Sequence, residues 1–164
     1  MAPPVWSVGQ VLTASDVNTW FVPLAVYKTA DLGRTSTSLT ADPDLTVTVA
    51  ANAVYSVDAA LFYKGSTTSA QFQWTWTIPA GAGSGSYHAS YIGGGGGAVI
   101  EGDGWTDAAH TAGIPVANNV QGLRVGGTLG TGGSSGSFTL NWALSGTGTS
   151  TLVTRSRLVL FRIG

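Results

Sequence analysis

Residues 71–78 read Gln-Phe-Gln-Trp-Thr-Trp-Thr-Ile, a strict alternation of polar and large apolar side chains. An extended strand, with its period of two, puts Phe72, Trp74, Trp76 and Ile78 on one face and Gln71, Gln73, Thr75 and Thr77 on the other. A helix would scatter the same aromatics around its axis. Pro79 stops the run, because it cannot donate to a ladder. Residues 138–144 repeat the pattern with Phe138, Leu140, Trp142 and Leu144. Each aromatic side reads as a core face, so Trp74, Trp76 and Trp142 are assigned to burial rather than to ligand binding.

The chain from residue 26 onward keeps this period. Leu45, Val47 and Val49 alternate with Thr46 and Thr48, and residues 54–63 form a longer strand. Asn52 between them marks a tight turn. A last strand is expected over 152–163, with weaker ones at 26–30, 86–92, 98–101, 114–118 and 121–129. Roughly eight to ten strands joined by Gly-, Ser- and Thr-rich turns, without helical periodicity, imply an all-β fold. The expected architecture is an antiparallel β-sandwich, jelly-roll-like by strand count. No repeat of fixed period is present.

Residues 1–25 read as a separate N-terminal arm, and 26–164 as the β-sandwich domain. Thr13 and Asp16 have the spacing of a capping box, which predicts a short helix over about 14–21, ended by Pro23. Val17, Trp20 and Phe21 line one side of it. A helix this short does not hold alone and needs a surface to dock on. Trp6, Leu12, Val17, Trp20 and Phe21 are therefore the candidate anchoring residues.

Two segments break the rule of one wet face per strand. Residues 59–63, Ala-Ala-Leu-Phe-Tyr, and 158–161, Leu-Val-Leu-Phe, are apolar on both sides. The second face needs cover, from the arm or from another subunit, and the subunit is favoured. Leu61, Phe62, Leu158, Val159, Leu160 and Phe161 are the candidate interface.

Composition excludes several functions. Charged residues are 9% of the chain and the net charge is −1, so no basic patch offers itself to nucleic acid or to an anionic membrane. Six Trp and five Tyr argue against disorder. No apolar run approaches the ~20 residues of a membrane-spanning helix. The start, Met-Ala-Pro-Pro-Val-Trp, lacks the basic and apolar regions of a signal peptide, so cytoplasmic synthesis is expected. With no Cys, disulfides and thiolate metal sites are absent.

Candidate chemistry is sparse. His88 and His110 are the two histidines, and no Gly-x-Ser-x-Gly elbow accompanies them. Glu101, Asp103 and Asp107 gather carboxylates near Gly-rich turns, without the full spacing of a calcium loop. A solvated acidic turn is the plainer reading. The run Gly93–Gly97 lacks the Lys-Ser/Thr of a phosphate loop. No catalytic residue, metal or cofactor is expected. Tyr87, His88, Tyr91 and Trp105, around those loops, are a candidate contact surface for a glycan or a protein.

Several segments resemble a known group of proteins. The stretch Trp6-x-x-Gly9-Gln-Val-Leu-Thr-Ala-Ser-Asp-Val-Asn18 is similar to the N-terminus of many small tail proteins of tailed phages. Tyr27-Lys-Thr-Ala-Asp, then Asp42-Pro-Asp-Leu-Thr-Val-Thr-Val-Ala-Ala-Asn52-Ala-Val-Tyr55, resembles virion proteins of phages infecting actinobacteria. The ending from Gly136-Ser-Phe-Thr-Leu-Asn-Trp-Ala through Leu152 to Arg162 is similar too. The resemblance implies a non-enzymatic virion protein, minor tail or tail-fibre-like, forming a homotrimer. It further implies partners among other virion proteins, and a host surface glycan as a candidate ligand. Capsid decoration proteins share the composition and stand as the alternative, with a carbohydrate-binding module as the second.

Overall fold

The computed structural model describes residues 5–82, 85–93, 96–102, 104–105, 108–114 and 116–164, of which 91–93 and 96–102 as backbone only. The elements in chain order are α1 (Ala14–Trp20), β1 (Leu24–Tyr27), β2 (Leu32–Arg34), β3 (Thr40–Val49), β4 (Val54–Gly65), β5 (Ala70–Thr77) and β6 (Tyr87–Gly93). They continue with β7 (Gly96–Gly102), β8 (His110–Ala112), β9 (Gln121–Gly130), β10 (Gly136–Gly146), β11 (Ser150–Leu152) and β12 (Arg157–Arg162).

Two antiparallel sheets pack as a sandwich, and their strand order is that of a jelly roll. The larger sheet runs β1-β12-β4-β9-β6-β7, with β11 bridging β4 and β2; the smaller runs β3-β10-β5-β8. Setting aside β2, β11 and the β6–β7 hairpin leaves β1-β12-β4-β9 facing β3-β10-β5-β8. Along the chain these eight strands pass back and forth between the sheets, which is the jelly-roll path.

The alternating runs supply the core as their period requires. Trp74 lies opposite Trp142, Trp76 opposite Leu140 and Phe72 opposite Leu144 in the β5–β10 register. All six are buried. Trp76 stacks on Phe138 with ring centroids 4.8 Å apart, and Trp105 meets both edge-on. From the other sheet come Tyr55, Val57, Ala59, Leu61 and Tyr63 of β4, Leu123 and Val125 of β9, and Leu158 and Leu160 of β12. Each large apolar side chain buried this way contributes roughly 1.5–3 kcal/mol against the cost of ordering it.

Turn chemistry explains two of the segments quoted above. Asn52 takes φ +51 between β3 and β4, a left-handed turn that Asn tolerates. The phenol oxygen of Tyr55 accepts from the backbone N–H of Ala50 at 3.0 Å and closes that turn. In β3, the pairing with β10 shifts between Thr139 and Asn141, so residues 42–45 bulge. Asp42 Oδ1 fills the gap by accepting from the N–H groups of Asp44 and Leu45, each at 3.0 Å.

The bulge also turns a charged group inward. Lys28, just past β1, is 1% exposed and reaches across the sandwich to Asp42 and Asp44. Beside it the guanidinium of Arg34 lies over the Trp142 ring, 4.1 Å from its centroid, and donates to the carbonyls of Thr40, Ala41 and Trp142. Burial holds the Arg34 guanidinium below its ordinary pKa.

The structure departs from the sequence reading in three places. The expected last strand, 152–163, is two strands, because Arg155 takes φ +69 and turns the chain between β11 and β12. That turn is held by Arg155 N–H on the Lys28 carbonyl at 3.0 Å and by the Ser156 hydroxyl on the Val153 carbonyl at 2.8 Å. No strand lies over the described residues of 114–118; Asn118 takes φ +63 there, and the strand is β8, just before. Strand β2 has three residues, too few for a period to show.

Candidate functional site

The described part of the arm holds a turn at Ser7–Gln10. Gly9 takes φ +87, as the third residue of a type II turn requires, and Gln10 N–H donates to the Ser7 carbonyl at 3.1 Å. The capping box then forms in full: Asp16 N–H donates to Thr13 Oγ1 at 3.1 Å, and Thr13 N–H donates to Asp16 Oδ2 at 3.0 Å. The Thr13 hydroxyl and then its N–H hold the Asp16 carboxyl below the usual carboxylate range.

This well-capped helix buries none of its residues. Its tie to the sandwich is Trp20, whose ring lies 4.5 Å under the guanidinium of Arg162 on β12. Of the anchoring candidates, Trp6 and Trp20 are half-buried, while Leu12, Val17 and Phe21 are exposed. Val5, Val8, Val11 and Val22 are exposed as well. The arm thus carries an apolar surface that its own domain does not use.

A second apolar surface lies on the outer side of the larger sheet. In the β1–β12 register Ala25 is opposite Val159 and Tyr27 opposite Arg157. Tyr27 is 65% exposed and Phe161 49%. One shallow depression of about 280 Å³ is lined by Ala25, Val26, Tyr27, Arg155, Arg157 and Val159. A second, of about 370 Å³, is lined by Phe62, Val120, Val153, Thr154 and Arg155. Arg155 borders both, so they form one apolar patch around a basic centre. Neither Arg155 nor Arg157 has an acidic partner among the described residues, whereas Arg124 pairs with Asp58 at 2.8 Å and Lys64 with Asp31 at 3.1 Å. The Thr154 N–H first, and Lys64 second, hold the Asp31 carboxyl below its ordinary value.

The six interface candidates divide by strand period. Leu61, Leu158 and Leu160 point inward and are fully buried in the chain's own core. They have no surface to offer a partner, because alternate residues of a strand face opposite sides. Phe62, Val159 and Phe161 point outward, onto or beside the patch. Tyr27, Arg155 and Arg157 belong to the same face and escaped the sequence reading. The alternation Ala25, Tyr27 was their one local signal.

The loop candidates divide similarly. Tyr87 and Trp105 are buried, stacked on each other with centroids 5.0 Å apart, and the Trp105 indole donates to the Thr128 carbonyl at 2.6 Å. Their apolar area is spent on the core, which withdraws them from any glycan or host surface. His88 is exposed, its ring lying against Gly126, where an added Cβ would come within 3.0 Å of it. His110 Nε2 lies 2.5 Å from the Tyr87 phenol oxygen, with its ring on Trp74. The side chains of Tyr91 and Glu101 lie outside the described residues, as do Asp103, Asp107, Gly94 and Gly95. Among the described residues no cluster of His, Asp and Glu could hold a metal ion, and no helix is long and apolar enough to cross a membrane.

No protein-family model matches the chain, and no curated protein matches it. Among solved structures, a chain of the tripod from the baseplate of bacteriophage Tuc2009 is similar over 99% of this chain and 75% of its own, at 14% identity and a TM-score of 0.36. A chain of infectious bursal disease virus, Gx strain, is similar over 88% of this chain and 37% of its own, at 8% identity and a TM-score of 0.23. The subviral particle of the same virus gives 87% and 37%, at 8% identity and a TM-score of 0.23. Likenesses of this strength speak to neither activity nor partner.

Proposed function

We propose that this chain is a non-enzymatic structural protein of a tailed-phage virion, of the minor tail or tail-fibre-like kind. Its arm, residues 1–25, anchors it to the particle, and its sandwich, residues 26–164, projects as a homotrimer. One observation carries the reading: the fully capped helix segment leaves Leu12, Val17 and Phe21 in solvent, and the outer face of the larger sheet is a second apolar surface left uncovered. Exposed apolar surface of this kind marks a site of assembly. The resemblance of the arm to small tail proteins of tailed phages, and of the segment Asp42–Tyr55 to phage virion proteins, supports the same reading. Low charge fits surfaces that are shared rather than solvated.

The roles divide between the two surfaces. Leu12, Val17 and Phe21 bury their side chains in a neighbouring virion protein. Phe62, Val159 and Phe161 meet another copy of this chain. The test is incorporation: phage made with a chain lacking residues 1–22 should yield particles without this protein, while the folded domain stays in the unbound fraction. Normal incorporation of the truncated chain would refute the anchor. Copy number per particle then separates a tail position, with few copies, from a capsid decoration, with hundreds.

A further inference from the structure

A buried cluster on the inner side of the same sheet, directly beneath the exposed patch, carries a separate inference. Lys28 Nζ lies 3.2 Å from Asp42 Oδ1, 3.1 Å from Asp42 Oδ2 and 2.9 Å from Asp44 Oδ2. Lys28 and Asp42 are buried to 1% and 0% of their side-chain surface, while Asp44 keeps 37%. As an ion pair alone, such a cluster recovers little beyond its desolvation cost. Its geometry has a second property. A nitrogen held almost equally near both oxygens sits about 3–3.5 Å from the carbon they share, the separation of a near-attack arrangement.

The surroundings match what amide formation needs. Asp42 Oδ1 accepts two backbone N–H groups, from Asp44 and Leu45, each at 3.0 Å. Two fixed donors on one carboxyl oxygen stabilise the negative charge that a tetrahedral intermediate places there. Asp42 Oδ2 accepts the indole N–H of Trp142 at 2.9 Å, which fixes the plane of the group. Asp44 touches the amine, which in turn touches Asp42 Oδ2, and it reaches solvent, so it can take up a proton and carry it toward the leaving oxygen.

We propose that Lys28 and Asp42 condense into a covalent side-chain amide, with Asp44 as the proton carrier. Asp44 takes one proton from the ammonium and passes it to Asp42 Oδ2, so that a neutral amine faces a neutral carboxylic acid. The freed lone pair of Nζ attacks the Asp42 carboxyl carbon, and the negative charge settles on Oδ1, against the two backbone N–H groups. Asp44 then takes a second proton from Nζ and delivers it to Oδ2. The bond from carbon to Oδ2 breaks, its electron pair leaves with the oxygen, and the C=O of the amide reforms on Oδ1. The products are one amide and one water, and no oxidant or cofactor enters. The bond joins the start of the larger sheet, directly after the arm, to β3 of the smaller sheet. A pull on the arm is then carried by both sheets rather than peeled from β1. The chemistry stands whether or not the chain belongs to a virion.

Intact-mass spectrometry of the full chain tests it. The wild-type protein should be lighter than its sequence mass by one water, and trypsin should leave residues 1–34 joined to residues 35–64 because Lys28 resists cleavage. Asp44→Asn, which keeps both reacting side chains and sits at a half-exposed position, should fold and show the full mass. Lys28→Arg should also show the full mass. A wild-type chain of unmodified mass that is cut after Lys28 overturns the proposal. So does a water loss that maps to any other pair. Asp44→Asn with the same loss as wild type overturns the role of Asp44.

Discussion

The indole N–H of Trp142, on β10, donates to Asp42 Oδ2 on β3 across 2.9 Å, one hundred positions apart in the chain. Trp142 is thereby both a core aromatic and the partner of a buried charge. Trp142→Phe keeps most of the apolar area and removes the donor. A lost hydrogen bond to a charged group costs about 1.5–3 kcal/mol. In the Asp44→Asn chain, which keeps the Asp42 carboxylate, adding Trp142→Phe should lower the urea midpoint accordingly with an unchanged slope.

The two faces of β12 should respond oppositely to truncation. Leu160 is fully buried and Phe161 is half in solvent. Leu160→Ala should cost about 2–5 kcal/mol, as cavity-forming changes do. Phe161→Ala should stay within ~0.5 kcal/mol, typical of surface positions, in thermal or denaturant unfolding of dilute protein. A double change of Tyr27 and Phe161 to Ser should leave the fold intact and shift sedimentation toward the single-chain mass.

The arm should melt apart from the sandwich. Thr13→Ala removes the cap and should cost helix α1 about 1 kcal/mol, read as faster amide exchange over residues 16–20. The melting temperature of the β-domain should not move, because α1 buries no residue in it. The pH dependence has a definite sign. The Asp16 carboxyl is held below its unfolded value of 3.8, so its support is present above that value and is lost as pH falls through the lower folded one. Exchange over α1 should therefore rise in acid for the wild type and be less pH-dependent for Asp16→Asn.

Gly127 should be intolerant of any side chain. A Cβ there would fall 2.4 Å from the Ser86 carbonyl oxygen and 2.8 Å from the Tyr87 Cα, both backbone atoms. Gly127→Ala should open the β6–β9 pairing and destabilise the protein by about 1–3 kcal/mol. Gly133→Ala, with open space around its Cβ, is the matched control and should be near neutral.

Strands with large alternating residues were legible at once. β5 and β10 show why: Trp74 and Trp142 mark a face that only period two can build. The capping box at Thr13 and Asp16 was equally local, and so was the turn at Asn52. What escaped depends on partners far away in the chain. β1 pairs with β12, and no short pattern announces a strand's neighbour. Tyr87 and Trp105 resembled a loop surface because their neighbours are Gly-rich; burial came from packing across the sandwich. Lys28 and Asp42 are ordinary residues fourteen positions apart, and only the β3 bulge brings them together.

The proposal makes this chain the product of a tailed phage, and cryo-electron microscopy of that phage's purified particles tests this central claim most directly. Density for the jelly roll should appear as threefold clusters on the virion, with the segment around Leu12, Val17 and Phe21 inserted into a neighbouring protein. Complete particles in which this chain is absent would contradict the claim.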